Sequence, residues 1–207
     1  MKQIMILLLA LGLATFGCCG LTSQQEQDKI SFDSTQVVDK NINLLVLTNE
    51  DLYERSESLG ELDSWGNYPY ELHTSDIRIS EDNTSKTAPQ SIKMGTGETV
   101  QIIIIQTTTV NLAENKFLEM KNDLAEQDFS ERVSNQVNVG NEMITAEKQV
   151  SMMSANLWKY TILFRRNNVI VEISVSDALE IPPYSEKNDF MRDVNDYALM
   201  IDKKVTS

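Results

Sequence analysis

Cysteine, histidine and positive charge are all scarce in this chain of 207 residues. Its two cysteines, Cys18 and Cys19, are adjacent and close to the N-terminus. They cannot cross-link distant parts of a fold, so neither a disulfide framework nor a cysteine-ligated zinc site is available. His73 is the single histidine, and it has no second histidine or cysteine nearby to complete a metal site. As a general base it would need a nucleophile and an orienting carboxylate, which no spacing in the sequence marks out. No metal and no cofactor is therefore expected. Lys and Arg number 18 against 31 Asp and Glu, for a formal net charge of −13. Such a balance repels the phosphates of nucleic acid and the headgroups of anionic lipid. It favours solubility and repulsion on a crowded surface.

The longest apolar run is Ile4 to Phe16, preceded by the positive Lys2 and followed by Gly17-Cys18-Cys19-Gly20. At about 1.5 Å per helical residue the run covers only ~20 Å, short of the ~30 Å hydrocarbon core. It reads as a secretion signal over residues 1–17. The small Gly17 followed directly by Cys18 resembles the lipobox of prokaryotic lipoproteins, with Thr15 and Phe16 where a leucine and a smaller residue are more common. That resemblance implies lipid attachment at Cys18 and a membrane partner through the lipid. Residues 18–41 are rich in Gln, Ser, Asp and Lys, with apolar residues too sparse to make a face. This is the composition of a flexible tether. About 190 residues remain beyond the signal, enough for one domain of ordinary size, expected over residues 42–207.

The domain is organised around two arms. Trp158, Tyr160, Ile162 and Phe164 alternate on one, and Val169, Val171, Ile173 and Val175 on the other, the period-two pattern of half-buried strands. Arg166-Asn167-Asn168 between them tolerates the positive φ of a tight hairpin. Ile102 to Ile105 place apolar side chains on both faces of a strand, which suggests a central position covered on both sides. Gly95-Thr96-Gly97 ahead of it reads as a hairpin turn. A phosphate-cradling loop would lead into a helix. Asn111 and Glu114 read as a capping box that opens a helix with the stripe Ala113, Phe117, Met120 and Leu124. Thr48 or Asn49 caps a helical turn ahead of Glu50 and Asp51. Met143 to Val150 reads as a strand beside the main hairpin. After Pro182-Pro183, Ser185 caps a last helix whose buried stripe is Phe190, Val194, Tyr197, Ala198, Ile201 and Val205.

Candidate binding residues cluster in Trp65-Gly66-Asn67-Tyr68-Pro69-Tyr70-Glu71-Leu72-His73. Aromatics around turn residues line binding surfaces in many proteins, which makes Trp65, Tyr68, Tyr70 and His73 candidates for ligand binding. The same residues also suit an ordinary strand in which Tyr68, Tyr70 and Leu72 alternate and Trp65 plugs an edge of the core. Asn83-Thr84-Ser85 is an N-glycosylation sequon in a polar stretch. No pair of carboxylates is marked out for acid–base catalysis.

The order of these pieces runs from Leu44-Leu45-Val46-Leu47-Thr48-Asn49-Glu50-Asp51-Leu52 through Thr99 to Ile104 and Val139-Gly140-Asn141-Glu142. It ends with Phe164-Arg165-Arg166-Asn167-Asn168-Val169 and the terminal helix. Over residues 42–205 it resembles a group of poorly characterised exported domains of archaea and bacteria, often tethered as lipoproteins. Some similar domains serve as extracellular sensor modules. In that group the turn more commonly carries Gly where this chain has Asn167, and Pro where it has Tyr53. The resemblance implies an α+β fold, a single antiparallel β-sheet with helices packed mainly on one face. It carries no agreed activity and no catalytic residues. The expectation is a lipid-anchored, non-enzymatic binding or sensing domain on the outer face of the cell membrane, acting on an unknown ligand or envelope protein. A cell-envelope hydrolase and a purely structural envelope protein are the alternatives.

Burying each large side chain of the last stripe contributes about 1.5–3 kcal/mol, which makes the terminal helix integral to the domain. Truncation at Pro183 is expected to abolish cooperative unfolding in a thermal or urea melt, and a shortened chain that still melts cooperatively would refute this.

Overall fold

A computed structural model describes residues 36–62, 64, 69–94, 98–127, 129–131, 137–151, 156–177 and 184–207. All of them fall within the compact unit Asp33–Ser207. Cys18, Trp65, Tyr68, Gly95-Thr96-Gly97 and Pro182-Pro183 lie outside the described residues. In chain order, a 3-10 turn at Ile42–Leu44 precedes α1 (Asn49–Leu59), β1 (Tyr70–Thr74), β2 (Arg78–Ile79), β3 (Ser85–Met94) and β4 (Thr99–Thr107). Then come α2 (Val110–Glu126), β5 (Ser130–Glu131), β6 (Glu142–Ser151), β7 (Asn156–Arg166), β8 (Val169–Asp177) and α3 (Tyr184–Thr206).

The fold is α+β. Seven strands form one antiparallel sheet in the order β1-β3-β4-β8-β7-β6-β5, and the two-residue β2 pairs with the far half of β3. Along β4, β8 and β7 the alternation divides the core in two. Val100, Ile102 and Ile104, the even residues Trp158 to Phe164, and Val169 to Val175 at odd positions all face one side. There the stripe of α3, Leu52 of α1, and Ile42, Leu45 and Leu47 cover them. Ile105, Leu163, Ile170, Ile144 and Ala146 face the other side, under Ala113, Phe117 and Leu124 of α2. Two of the three helices thus share one face, and α2 alone covers the other. All six residues of the expected α3 stripe are buried.

Local chemistry sets the ends of the elements. Thr48 caps α1 with a full capping box to Asp51, and Gly60 closes it at φ 69°, the left-handed conformation that glycine adopts without penalty. For α2 the expected capping box at Asn111 is not the one used. Thr109 is the cap, accepting from the Leu112 N–H. Asn111 sits exposed in the first turn, and Glu114 instead meets Arg165 at 3.3 Å. A β-region residue with a short hydroxyl was available two positions earlier, just where β4 ends, so the helix starts sooner.

The β7–β8 turn is held by several side chains at once. Only its first residue, Asn167, takes positive φ, at 55°. Its N–H donates to Asn141 Oδ1 at 2.7 Å. Arg165 is buried and donates to the Asn167 carbonyl, while Arg166 makes a two-pronged pair with Asp202 of α3, both contacts 2.6 Å. A Cβ on Gly140 would lie 2.5 Å from the Arg165 carbonyl oxygen, so only glycine fits beneath this turn.

Asn168, fully buried, does something the sequence did not announce. Its Oδ1 accepts from the Val38 N–H at 2.6 Å, and its Nδ2 donates to the Thr107 carbonyl at 2.6 Å. Gln106 Nε2 donates to the carbonyls of Val38 and Lys40. Gln90 both donates to the Leu47 carbonyl and accepts from its N–H, each at 2.9 Å. The segment 38–47 therefore has no strand partner among the described residues and is held by three side-chain amides, together with the bond from Lys40 Nζ to the Lys204 carbonyl. Among the described residues, side-chain hydrogen bonds into the fold reach as far towards the N-terminus as Val38.

Asn168→Ala removes both ends of this clamp and is expected to cost about 2–3 kcal/mol. Hydrogen exchange should show the Val38 amide losing protection while the β4–β8 ladder keeps its own. Unchanged protection at Val38 would disprove the clamp.

Candidate functional site

Of the four residues proposed for ligand binding, Tyr70 and His73 can be placed. They stand three apart on β1 and so point to opposite faces of the sheet. His73 is exposed, its side chain two-thirds accessible, with Nε2 3.8 Å from Glu71 Oε2. Tyr70 faces the α1/α3 side, half-buried. Asn83 is exposed at the tip of the β2–β3 turn with φ 58°. That turn is built on Asp82, whose carboxylate is held down near 2 by the Ser80 hydroxyl and by the Thr84 N–H and hydroxyl.

Tyr70 leads to a site that the sequence did not reveal. Arg55, on α1 and nearly inaccessible, lies where α1, α3 and the start of β1 meet. Its Nε donates to Asp196 Oδ2 at 3.1 Å. Its Nη1 reaches Glu61 at 3.3 Å and the Tyr70 hydroxyl at 3.2 Å. Its Nη2 meets Asp193 in a very short contact, and Asp196 at 3.0 Å. The guanidinium carbon also lies over the Tyr197 ring, 5.2 Å from its centroid. Gly60 makes this possible: the left-handed C-cap turns the chain so that the Glu61 N–H bonds back to the Ser56 carbonyl. Glu61 then accepts from Tyr70 at 2.6 Å and pairs with Arg192 at 3.3 Å.

Electrostatically the cluster is closed. Four of the guanidinium's five N–H donors make hydrogen bonds, to Asp196, Glu61, Tyr70 and Asp193. Asp196 also lies 3.0 Å from Nη2 as an ion pair, so all three nitrogens are engaged within the protein. Burial pulls the Arg55 pKa down, but Tyr197, Asp193 and Tyr70 more than reverse this, so the group stays charged. Burial lifts the Asp193 carboxyl above its usual range, although Arg55 and Arg192 pull against it. Burial also raises Tyr70 and Tyr197, so both remain neutral phenols. The Tyr197 hydroxyl is buried and has no hydrogen-bond partner among the described residues. This is an arrangement for locking α1 and α3 in place.

Beside the lock is an open groove of about 390 Å³ between the two helices. Asp51 pairs with Lys204 at 2.9 Å and Arg55 with Asp196, so the helices run antiparallel. Leu59, Leu199 and Met200 supply the groove's apolar lining, and Asp51, Glu54 and Asp196 its acidic rim. A second groove, about 620 Å³, separates α2 from β6. Its two acids, Glu114 and Glu142, are both drawn to Arg165, and Lys121 offsets them. Among the described residues no group of three or more His, Cys, Asp or Glu could hold a metal ion, and no helix is long and apolar enough to cross a membrane.

The missed residues left a faint trace. Arg55 is the one basic residue in a run holding Glu50, Asp51, Glu54, Glu57 and Glu61. Its partners Asp193 and Asp196, however, are ~140 residues away, and nothing local points to them.

Arg55→Met leaves Asp193 buried without its main counter-ion and is expected to cost about 3–5 kcal/mol at neutral pH. The sign with pH follows from the raised Asp193 pKa. A carboxyl whose folded pKa lies above its unfolded value favours the fold most when protonated, and this is lost as pH rises through the folded pKa. Without Arg55 that pKa rises further, so the deficit should shrink on acidification, and urea melts at neutral and acid pH measure it. A deficit independent of pH would contradict the assignment. The chain matches no family model, no curated protein and no solved structure.

Proposed function

We propose that the chain is an exported lipoprotein, anchored through Cys18 to the outer face of the cell membrane, whose α+β domain binds a ligand or partner protein without transforming it. The observation that carries the binding part is the open α1/α3 groove. It is an apolar surface with an acidic rim, held in shape by a buried ionic lock whose three nitrogens are all engaged within the protein. The leader, the small residue before Cys18 and the polar segment after it support the anchor. The resemblance to sensor-type modules points the same way. Trp65, Tyr68, Tyr70 and His73 do not act as one unit in this reading, because Tyr70 serves the lock and His73 lies on the other face of the sheet.

A hydrolase needs carboxylates whose displaced pKa values converge on open space. At the described corner Asp193, raised by burial, is instead buried against Arg55. Against the upward pull of partial burial, Asp51 is lowered by its bonds to Lys204 and Thr48 and is held in an ion pair.

The anchor is tested by fractionation and mass spectrometry. The mature chain should begin at an acylated Cys18, and Cys18→Ser should move it from the membrane pellet to the soluble fraction. An unmodified N-terminus beyond Cys19, or a Cys18→Ser chain that stays with the membrane, rules the anchor out. Turnover of a substrate that depends on a residue of the domain would overturn the non-enzymatic part.

A further inference from the structure

We propose that the α1/α3 groove is the docking site for a cationic amphipathic helix of a partner protein. The inference rests on the reading of the domain as a binding module, and not on its anchor. Leu59 and Leu199 are 42% and 47% exposed, yet they come from positions 140 apart in the sequence to line one furrow with Met200. An apolar surface shared by two helices, with no covering element among the described residues, suits a third helix laid along it.

Charge selects the occupant. Glu50, Glu54 and Glu57 follow one another at spacings of four and three along the exposed side of α1, so they form one row. None of the three has an ion-pair partner among the described residues, in contrast to Asp51 and Asp196, which are taken by Lys204 and Arg55. Of the row Glu54 lines the furrow itself, and Glu50 and Glu57 flank it on α1. A basic helix that buries its apolar face on the leucines would therefore bring its cations to Glu54 first. An acidic or neutral one would leave the row unmatched. From Asp51 to Leu59 the furrow runs about 12 Å at 1.5 Å per residue. That is two helical turns, enough for an anchor pair at i and i+3 or i+4. The lock beneath fixes the walls before binding, so little ordering opposes it. The other helix with exposed leucines is α2, with Leu112 and Leu118 at 38% and 56%. It carries Lys116 and Lys121 beside its acids, and Lys116 already pairs with Glu119. Its exposed face therefore mixes both signs, whereas Glu50, Glu54 and Glu57 of α1 are exposed with no lysine or arginine between them except the buried Arg55.

The test uses three labelled synthetic peptides titrated into the full chain at low salt, read by fluorescence anisotropy. One is a helix of leucine and lysine with a single apolar face. The second replaces lysine with glutamate, and the third scrambles the first so that no apolar face forms. The first should bind and weaken as salt rises, and the other two should not bind. Leu199→Asp and Glu54→Lys should each weaken binding by about tenfold or more, equivalent to ~1.4 kcal/mol, whereas Leu118→Asp on α2 should leave it unchanged. Leu59→Glu serves as a second groove variant should Leu199→Asp alter the circular dichroism melt.

Equal binding by the scrambled peptide would show diffuse attraction to an acidic protein and overturn the proposal. So would equal effects of Leu199→Asp and Leu118→Asp, or no binding at all. Sedimentation that shows a dimer of the chain broken by Leu199→Asp would make a second copy the occupant and overturn it too. Failure here with an acylated Cys18 intact removes the groove assignment alone, and failure of the anchor leaves the titration unaffected.

Discussion

The constraint on which the structure depends is that β4, β8 and β7 are apolar throughout on one face and carry a second apolar patch, Ile103, Ile105, Leu163 and Ile170, on the other. Ile102 and Ile104 are completely buried on one side, and Ile105 is nearly so on the other. Leu163 and Ile170 are likewise fully buried beneath α2, between neighbours that face α3. A sheet of this kind is not stable with one face in water. The chain therefore has to supply cover twice, from α2 on one side and from α1, α3 and the segment before α1 on the other. The polar devices of the fold serve this double cover.

Those devices fall into two groups, distinguished by charge. At the β7–β8 turn and along residues 38–47, neutral amides of Asn168, Gln106 and Gln90 bond the backbone of a stretch that buries Ile42, Leu45 and Leu47 without being a strand. An unpaired buried N–H or carbonyl would cost about 1–3 kcal/mol each, so these side chains replace a missing ladder. At the α1/α3 corner the work is done by Arg55 and its carboxylates. A buried ion pair is weak evidence for net stability. What it does provide is direction, since a rigid fork bonded through all three nitrogens favours one relative placement of α1, α3 and Tyr70. The groove between the helices inherits its shape from that placement.

Much of the architecture was legible because it follows from local periodicity. The β7–β8 arms, the stripe of α2 and the stripe of α3 rest on repeats of two or of 3.6 residues, the central position of the isoleucine strand rests on an unbroken apolar run, and the structure has each of them. The cap of α2 was misread because Asn111 and Glu114 form a capping pattern in sequence, while Thr109 was already in extended geometry at the end of β4. The candidate site was less legible. Trp65-to-His73 drew attention as an aromatic cluster, yet strand alternation sends Tyr70 and His73 to opposite faces. Arg55 showed only as a lone cation among acids.

The sequence by itself determined the class of the fold, the positions of its main strands and helices, and the acidic character of the chain, because periodicity, capping chemistry and net charge are properties of neighbours along the chain. Only the tertiary structure decided that Arg55 would meet Asp193 and Asp196, that Asn168 would hold Val38, and that Leu59 and Leu199 would share a groove. Each of those joins residues ~130 or more apart. Their pairing depends on how α1 and α3 settle over a sheet that has to be covered on both sides, which no local pattern encodes.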